Sequence, residues 1–116
     1  MTPSRDALLA PPPHPGRLLR DQVLPGLSLS ISQAARELRI ARQTLHRVLA
    51  GTASVSPEMA ARLARLSGTN PHVWLDLQQQ HDLWYAEQAL AGVLGLIPAH
   101  TLPAPLQAEI GLRHGR

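Results

Sequence analysis

The stretch Ser32-Gln33-Ala34-Ala35-Arg36-Glu37-Leu38-Arg39-Ile40-Ala41-Arg42-Gln43-Thr44-Leu45-His46-Arg47-Val48-Leu49-Ala50-Gly51 decides the fold. Ser32 is placed to cap a helix in which Ala34, Ala35 and Leu38 fall on one side. Arg39, Ile40 and Ala41 make a tight connection. Leu45, Val48 and Leu49 then recur at i, i+3 and i+4 in a second helix over residues 42–50. Gly51 closes it, because a left-handed C-cap is least strained in a residue without Cβ. The second helix therefore buries one face and frees Arg42, Gln43, His46 and Arg47, with Thr44 beside them. Two short helices in this relation, the second polar and basic on its free face, form a helix-turn-helix suited to a DNA major groove.

The flanks extend the pattern. Pro15 suits the first turn of a helix running through Leu18, Leu19, Gln22 and Val23, expected to stop before Pro25-Gly26. Ser56-Pro57-Glu58 starts a fourth helix that ends at Gly68, with Met59, Ala60, Leu63, Ala64 and Leu66 inward. Asn70-Pro71 opens a fifth, on which Trp74, Leu77, His81 and Trp84 make a stripe like a coiled-coil seam. Leu90, Val93, Leu94 and Ile97 keep helical spacing, but Gly92 and Gly95 weaken that helix and Pro98, Pro103 and Pro105 are expected to end it. The expectation is an all-α, five-helix domain over residues 14–90. A proline-rich flexible arm, residues 1–13, precedes it, and a partly helical, dimer-forming extension, residues 91–116, follows.

Composition agrees with one helical core. In 116 residues there is no Phe, and Trp74, Trp84 and Tyr85 are the only aromatics, so Leu, Ala, Val and Ile must fill the interior. The absence of Cys removes disulfides, thiolate metal sites and a cysteine nucleophile. No apolar run approaches the roughly 18 residues of a membrane span, and the start lacks a signal-peptide core; the expected location is the cytoplasm. All eleven basic residues are Arg, and the net charge is +3. Residues 31–66 hold six of them against Glu37 and Glu58, whereas residues 70–90 carry Asp76, Asp82 and Glu87 and no Arg. A basic middle and an acidic later helix suit two partners of opposite charge. No nucleophile-and-base order or glycine-rich phosphate loop stands out, so neither catalysis nor a cofactor is expected. His72 and His81 are too far apart for the i, i+4 spacing of a zinc pair, so no metal is expected either.

The order of residues around Ala35 resembles the repressor/Cro-like helix-turn-helix, in which a small residue at that place lets the two helices cross closely. His14-Pro15-Gly16-Arg17-Leu18-Leu19, the helix from Ser56 to Leu66, Gly68-Thr69-Asn70-Pro71-His72-Val73-Trp74-Leu75-Asp76-Leu77-Gln78 and Asp82-Leu83-Trp84 together resemble the HigA-type antitoxins, over roughly residues 14–90. Arg39 departs from the pattern, standing where Gly is common in the turn. The resemblance implies an antitoxin that neutralises a HigB/RelE-like ribonuclease toxin and, as a homodimer on a palindromic operator, represses its own operon. A stand-alone repressor without a toxin is the alternative; a pure protein-interaction module is a third reading.

Within that frame, Arg42 and Gln43 are candidates for paired hydrogen bonds to guanine and adenine. Thr44 and Arg47 would touch phosphate or base, and His46 would lie at the groove. Gln33 is a candidate phosphate anchor, and Arg36 and Arg39 are either phosphate contacts or ordinary surface charges. Asp76, Asp82 and Glu87 are candidate toxin contacts, because a ribonuclease that grips RNA phosphates presents a basic surface. Trp84, Leu90, Val93 and Leu94 are candidates for the dimer seam, having little left to pack on inside so small a core.

Overall fold

The computed structural model describes residues 10–113, so most of the expected arm, residues 1–9, lies outside it. Those residues form seven helices and no strand. The first, α1, is composite: α-helical Pro15–Leu18, π-helical Leu19–Val23 and α-helical Leu24–Gly26. Then come α2 (Ile31–Leu38), α3 (Arg42–Ala50), α4 (Pro57–Ser67), α5 (Pro71–Ala89), α6 (Ala91–Leu94) and α7 (Ala104–Arg113). None is long and apolar enough to cross a membrane.

Five of the seven are those expected from sequence, and the differences have local causes. The first helix does not stop before Pro25-Gly26. Its π stretch, in which the Leu24 N–H bonds back to the Leu19 carbonyl, widens the turn ahead of Pro25, a residue with no N–H to continue an α ladder. The cap of α2 is Ser30 and not Ser32: the Ser30 hydroxyl accepts from the Gln33 N–H at 3.1 Å, and the Gln33 side-chain oxygen accepts from the Ser30 N–H at 3.2 Å. This reciprocal capping box starts the helix one residue after Ser30. The helix carrying Leu90 and Val93 does end ahead of Pro98, but a further helix, α7, starts just after Pro103. Pro105 sits at the second position of α7, where its missing N–H leaves no partner unpaired.

The core lies where α1 to α5 converge. Leu19, Leu24, Ala34, Ala35, Leu38, Leu45, Val48, Leu49, Met59, Ala60, Leu63, Ala64 and Trp74 are buried together, joined by Val55 from the α3–α4 loop. Each fully buried Leu or Val side chain contributes about 1.5–3 kcal/mol over its exposed state, and each Ala methyl less. Ala34 and Ala60 are completely covered, which shows how closely the helices approach. Gly16 makes the tightest approach: a Cβ there would overlap the Val48 carbonyl oxygen, so the start of α1 rests directly on the last turn of α3.

α5 is held at its root. The Trp74 indole N–H donates to the Thr69 hydroxyl at 2.9 Å, Thr69 meets Ser67 at 2.8 Å, and the Ser67 hydroxyl donates to the Leu63 carbonyl at 2.6 Å. Trp74 is buried as the apolar stripe requires, but the stripe leaves the core along the helix: Leu77, His81 and Trp84 are half-buried. From Leu90 to Leu106 the large apolar residues Leu90, Val93, Leu94, Leu96, Ile97, Leu102 and Leu106 are all exposed.

Candidate nucleic-acid interface

α3 presents its polar residues as the sequence implies. Leu45, Val48 and Leu49 are buried, and Arg42, Gln43, Thr44, His46 and Arg47 are exposed. Gly51, with φ of 77°, supplies the left-handed C-cap. The Ala41 N-cap makes no side-chain hydrogen bond, so the first amides of α3 add donors to the end carrying Arg42 and Gln43. At the other end the Arg47 carbonyl accepts from the N–H groups of Thr52 and Ala53 at 3.0 and 3.2 Å and from the Thr52 hydroxyl at 3.3 Å. That network fixes the loop leaving α3 through the Arg47 carbonyl and does not engage its side chain.

Gln33 is exposed at the first turn of α2. Its side-chain oxygen closes the capping box, so the amide nitrogen is the group left to donate to a phosphate oxygen. Arg36 is exposed one turn further on and lines a groove between α2 and α4 with Arg39 and Arg65, away from the α3 residues. Arg39 has φ of 58° and ψ of 46°, the left-handed conformation in which glycine is usual. The turn geometry is kept despite the Arg.

Gln78 was not apparent from the apolar stripe, yet it positions the loop behind the interface. It is buried, its side-chain oxygen accepts from the Val55 N–H at 2.8 Å, and its amide nitrogen donates to Asp82 at 2.9 Å. Arg62 was also missed. Its guanidinium donates to the Leu38 carbonyl at 2.6 Å and the Arg39 carbonyl at 3.3 Å, and pairs with Glu58 at 3.0 Å. It thereby ties α4 to the turn of the helix-turn-helix. Nothing in the periodicity marks either residue, whereas the Ser30-to-Gln33 spacing is itself a capping-box signature.

A histidine pair joins three elements. His14 caps α1, accepting from the Gly16 N–H on Nδ1 at 2.9 Å, and lies against Gly51 at the end of α3. Its ring stands edge-on to His81 of α5, with 5.3 Å between centroids. The His81 Nδ1 lies 2.7 Å from the Pro12 carbonyl, which ties the end of the N-terminal arm to α5. Burial holds the His14 pKa below its ordinary value, His81 lowers it further, and the Ala53 backbone and Asp82 act in the opposite sense.

The acidic residues do not gather on one face. Asp76 and Glu87 are exposed and lie roughly 20° apart around α5 by helical geometry. Asp82 points elsewhere and is engaged by Gln78. Trp84 is half-buried against Tyr85, while Leu90, Val93 and Leu94 are exposed.

Comparison with known proteins agrees with this geometry. Residues 17–75, the α1 to α5 region that carries the site, match the family described as "Helix-turn-helix domain". The chain is 37% identical over 78 residues to the uncharacterized HTH-type transcriptional regulator YddM of Escherichia coli K12, covering 67% of this chain and 82% of that one. Among solved structures it is similar to the Pseudomonas aeruginosa antitoxin HigA with the higBA promoter, with a TM-score of 0.71, 30% identity, and 78% of this chain and 99% of that one covered. Antitoxin GraA in complex with its operator gives a TM-score of 0.72 and 33% identity, over 80% and 95% of the two chains. The chain belongs to the XRE-type helix-turn-helix family of DNA-binding transcription regulators, and its structural relatives are HigA-family antitoxins.

Proposed function

We propose that the protein is the antitoxin of a type II toxin-antitoxin module, which represses its own operon and neutralises a HigB/RelE-like ribonuclease. The observation that carries the reading is the α3 face: Arg42, Gln43, Thr44, His46 and Arg47 all exposed on one helix, in a chain similar to antitoxins solved with promoter or operator DNA. Arg42 and Gln43 read base edges, Thr44, His46 and Arg47 line the groove, and Gln33 holds a phosphate, with Arg36 adding charge at the margin. One recognition helix covers a half-site, so two copies bind a palindromic operator about one helical turn apart. Their seam is the apolar surface of Leu90, Val93 and Leu94 with the edge of Trp84. The basic toxin is met on the acidic helix α5, which leaves α3 free for DNA.

The test is to co-express the chain with the gene adjacent to its own and purify over a tag on the chain. A stable complex that still shifts DNA from the upstream region supports the antitoxin reading. Specific DNA binding by a protein that captures no neighbouring gene product points to the stand-alone repressor.

A further inference from the structure

Arg39 holds a left-handed backbone conformation with φ of 58°, and the structure shows what surrounds it. The C-terminal half of α2, the turn after it and α4 enclose an open groove of about 720 Å3, and no residue of α3 lines it. Arg36, Arg39 and Arg65 stand around it, the exposed Ala61 and half-buried Leu66 give it an apolar lining, and the buried Leu38 lies at its floor. Arg62 is used up in holding the groove together through the Leu38 and Arg39 carbonyls and Glu58. Among the described residues no group pairs with the Arg36, Arg39 or Arg65 side chains, and Glu37 is the sole carboxylate in the lining.

Arg39 also sits at a conformational cost. A residue with a Cβ in the left-handed region is disfavoured by about 1–2 kcal/mol. Strain of this kind is tolerated where the side chain is needed. Three free guanidiniums on the rim bind carboxylates in forked pairs, and the apolar lining takes an aliphatic side chain between them. A phosphodiester backbone has no use for that lining. We infer that the groove between α2 and α4 is a second docking surface, which takes an acidic amphipathic peptide segment of a partner protein, with carboxylates on Arg36, Arg39 and Arg65 and an apolar side chain against Ala61 and Leu66. It is separate from the α3 face and from the acid residues of α5, so it stands whether or not a toxin binds there.

The experiment uses the full-length chain and three fluorescent helical peptides of equal length: one with Glu and Leu on the same face, one with each Leu replaced by Ser, and one with each Glu replaced by Lys. Anisotropy is expected to show binding of the Glu/Leu peptide and little binding of the others. Arg39→Asn combined with Arg65→Gln should weaken it by about tenfold or more, since each charged fork is among the stronger hydrogen-bonded pairs. Asn tolerates the left-handed conformation, so the melting temperature should not fall. Binding to upstream DNA and its salt dependence should be unchanged in that variant, and Arg42→Ala should leave peptide binding intact. Equal binding of the Ser-substituted peptide would mean a general anion patch and overturn the assignment. So would loss of DNA affinity with a salt slope shallower by about one per arginine removed, which would make the groove a DNA-backbone contact. Peptide binding abolished by Arg42→Ala would place the peptide on α3 and overturn it equally.

Discussion

At the scale of single residues, two positions set how the recognition helix is held. Gly16 allows α1 to rest on the Val48 carbonyl, and any Cβ there must displace one helix from the other. Gly16→Ala should destabilise the fold by about 1–3 kcal/mol, the usual cost of overpacking a filled interior, visible as a lower urea midpoint. The need for glycine is legible in sequence as part of the His14-Pro15-Gly16 string, but its reason is not, because the Val48 carbonyl is 32 residues away. His14 gives a pH dependence of known sign. Its proton is disfavoured in the folded state, first by burial and then by His81, so the unfolded chain binds the proton more tightly. The neutral ring's contribution is complete above the unfolded value of about 6.5 and declines as pH falls from there toward the lowered folded value. Protonation on Nδ1 also ends the cap to the Gly16 N–H. Melting temperatures between pH 7.5 and pH 5 should fall, and more steeply than in His14→Asn, which keeps a capping oxygen without the titration. Parallel slopes in the two proteins would show that His14 is not the group responsible.

At the scale of elements, helix starts were the most legible feature and loop positions the least. Ser56-Pro57 and Asn70-Pro71 announce α4 and α5 because capping is a short-range interaction between neighbours in sequence. The same logic misplaced the start of α2, since Ser30 and Ser32 both suit a cap and only the return bond from Gln33 selects Ser30. The loop between α3 and α4 depends on Gln78, 23 residues from its partner Val55. Gln78→Leu leaves the buried Val55 N–H without an acceptor, at a cost of about 1–3 kcal/mol. Hydrogen exchange at that amide should accelerate in the variant by more than the global stability change explains. On α5 all three acids are exposed, and Asp76 and Glu87 share one side of the helix, so Asp76→Lys with Glu87→Lys should slow association with a basic toxin while leaving DNA binding in place. Unchanged toxin association in stopped-flow measurements would move the toxin site off this face.

At the scale of the whole molecule, the two charged regions read from the sequence fall on different elements: exposed arginines on the α3 face and around the α2–α4 groove, and exposed acids on α5. Helical class, the helix-turn-helix and its exposed residues were legible because they rest on local periodicity. The two extra helices and the exposed apolar stretch beyond Leu90 were legible only as spacing, since prolines there start a helix as readily as they stop one. The central claim is that α3 reads DNA with Arg42 and Gln43, and it is tested most directly by titrating upstream DNA with the wild type, Arg42→Ala and Gln43→Ala at one fixed salt concentration. Each variant should lose about 1–3 kcal/mol of specific binding, with the melting temperature and non-specific binding nearly unchanged. Wild-type affinity in both variants would contradict the account and place the DNA-reading surface on another element.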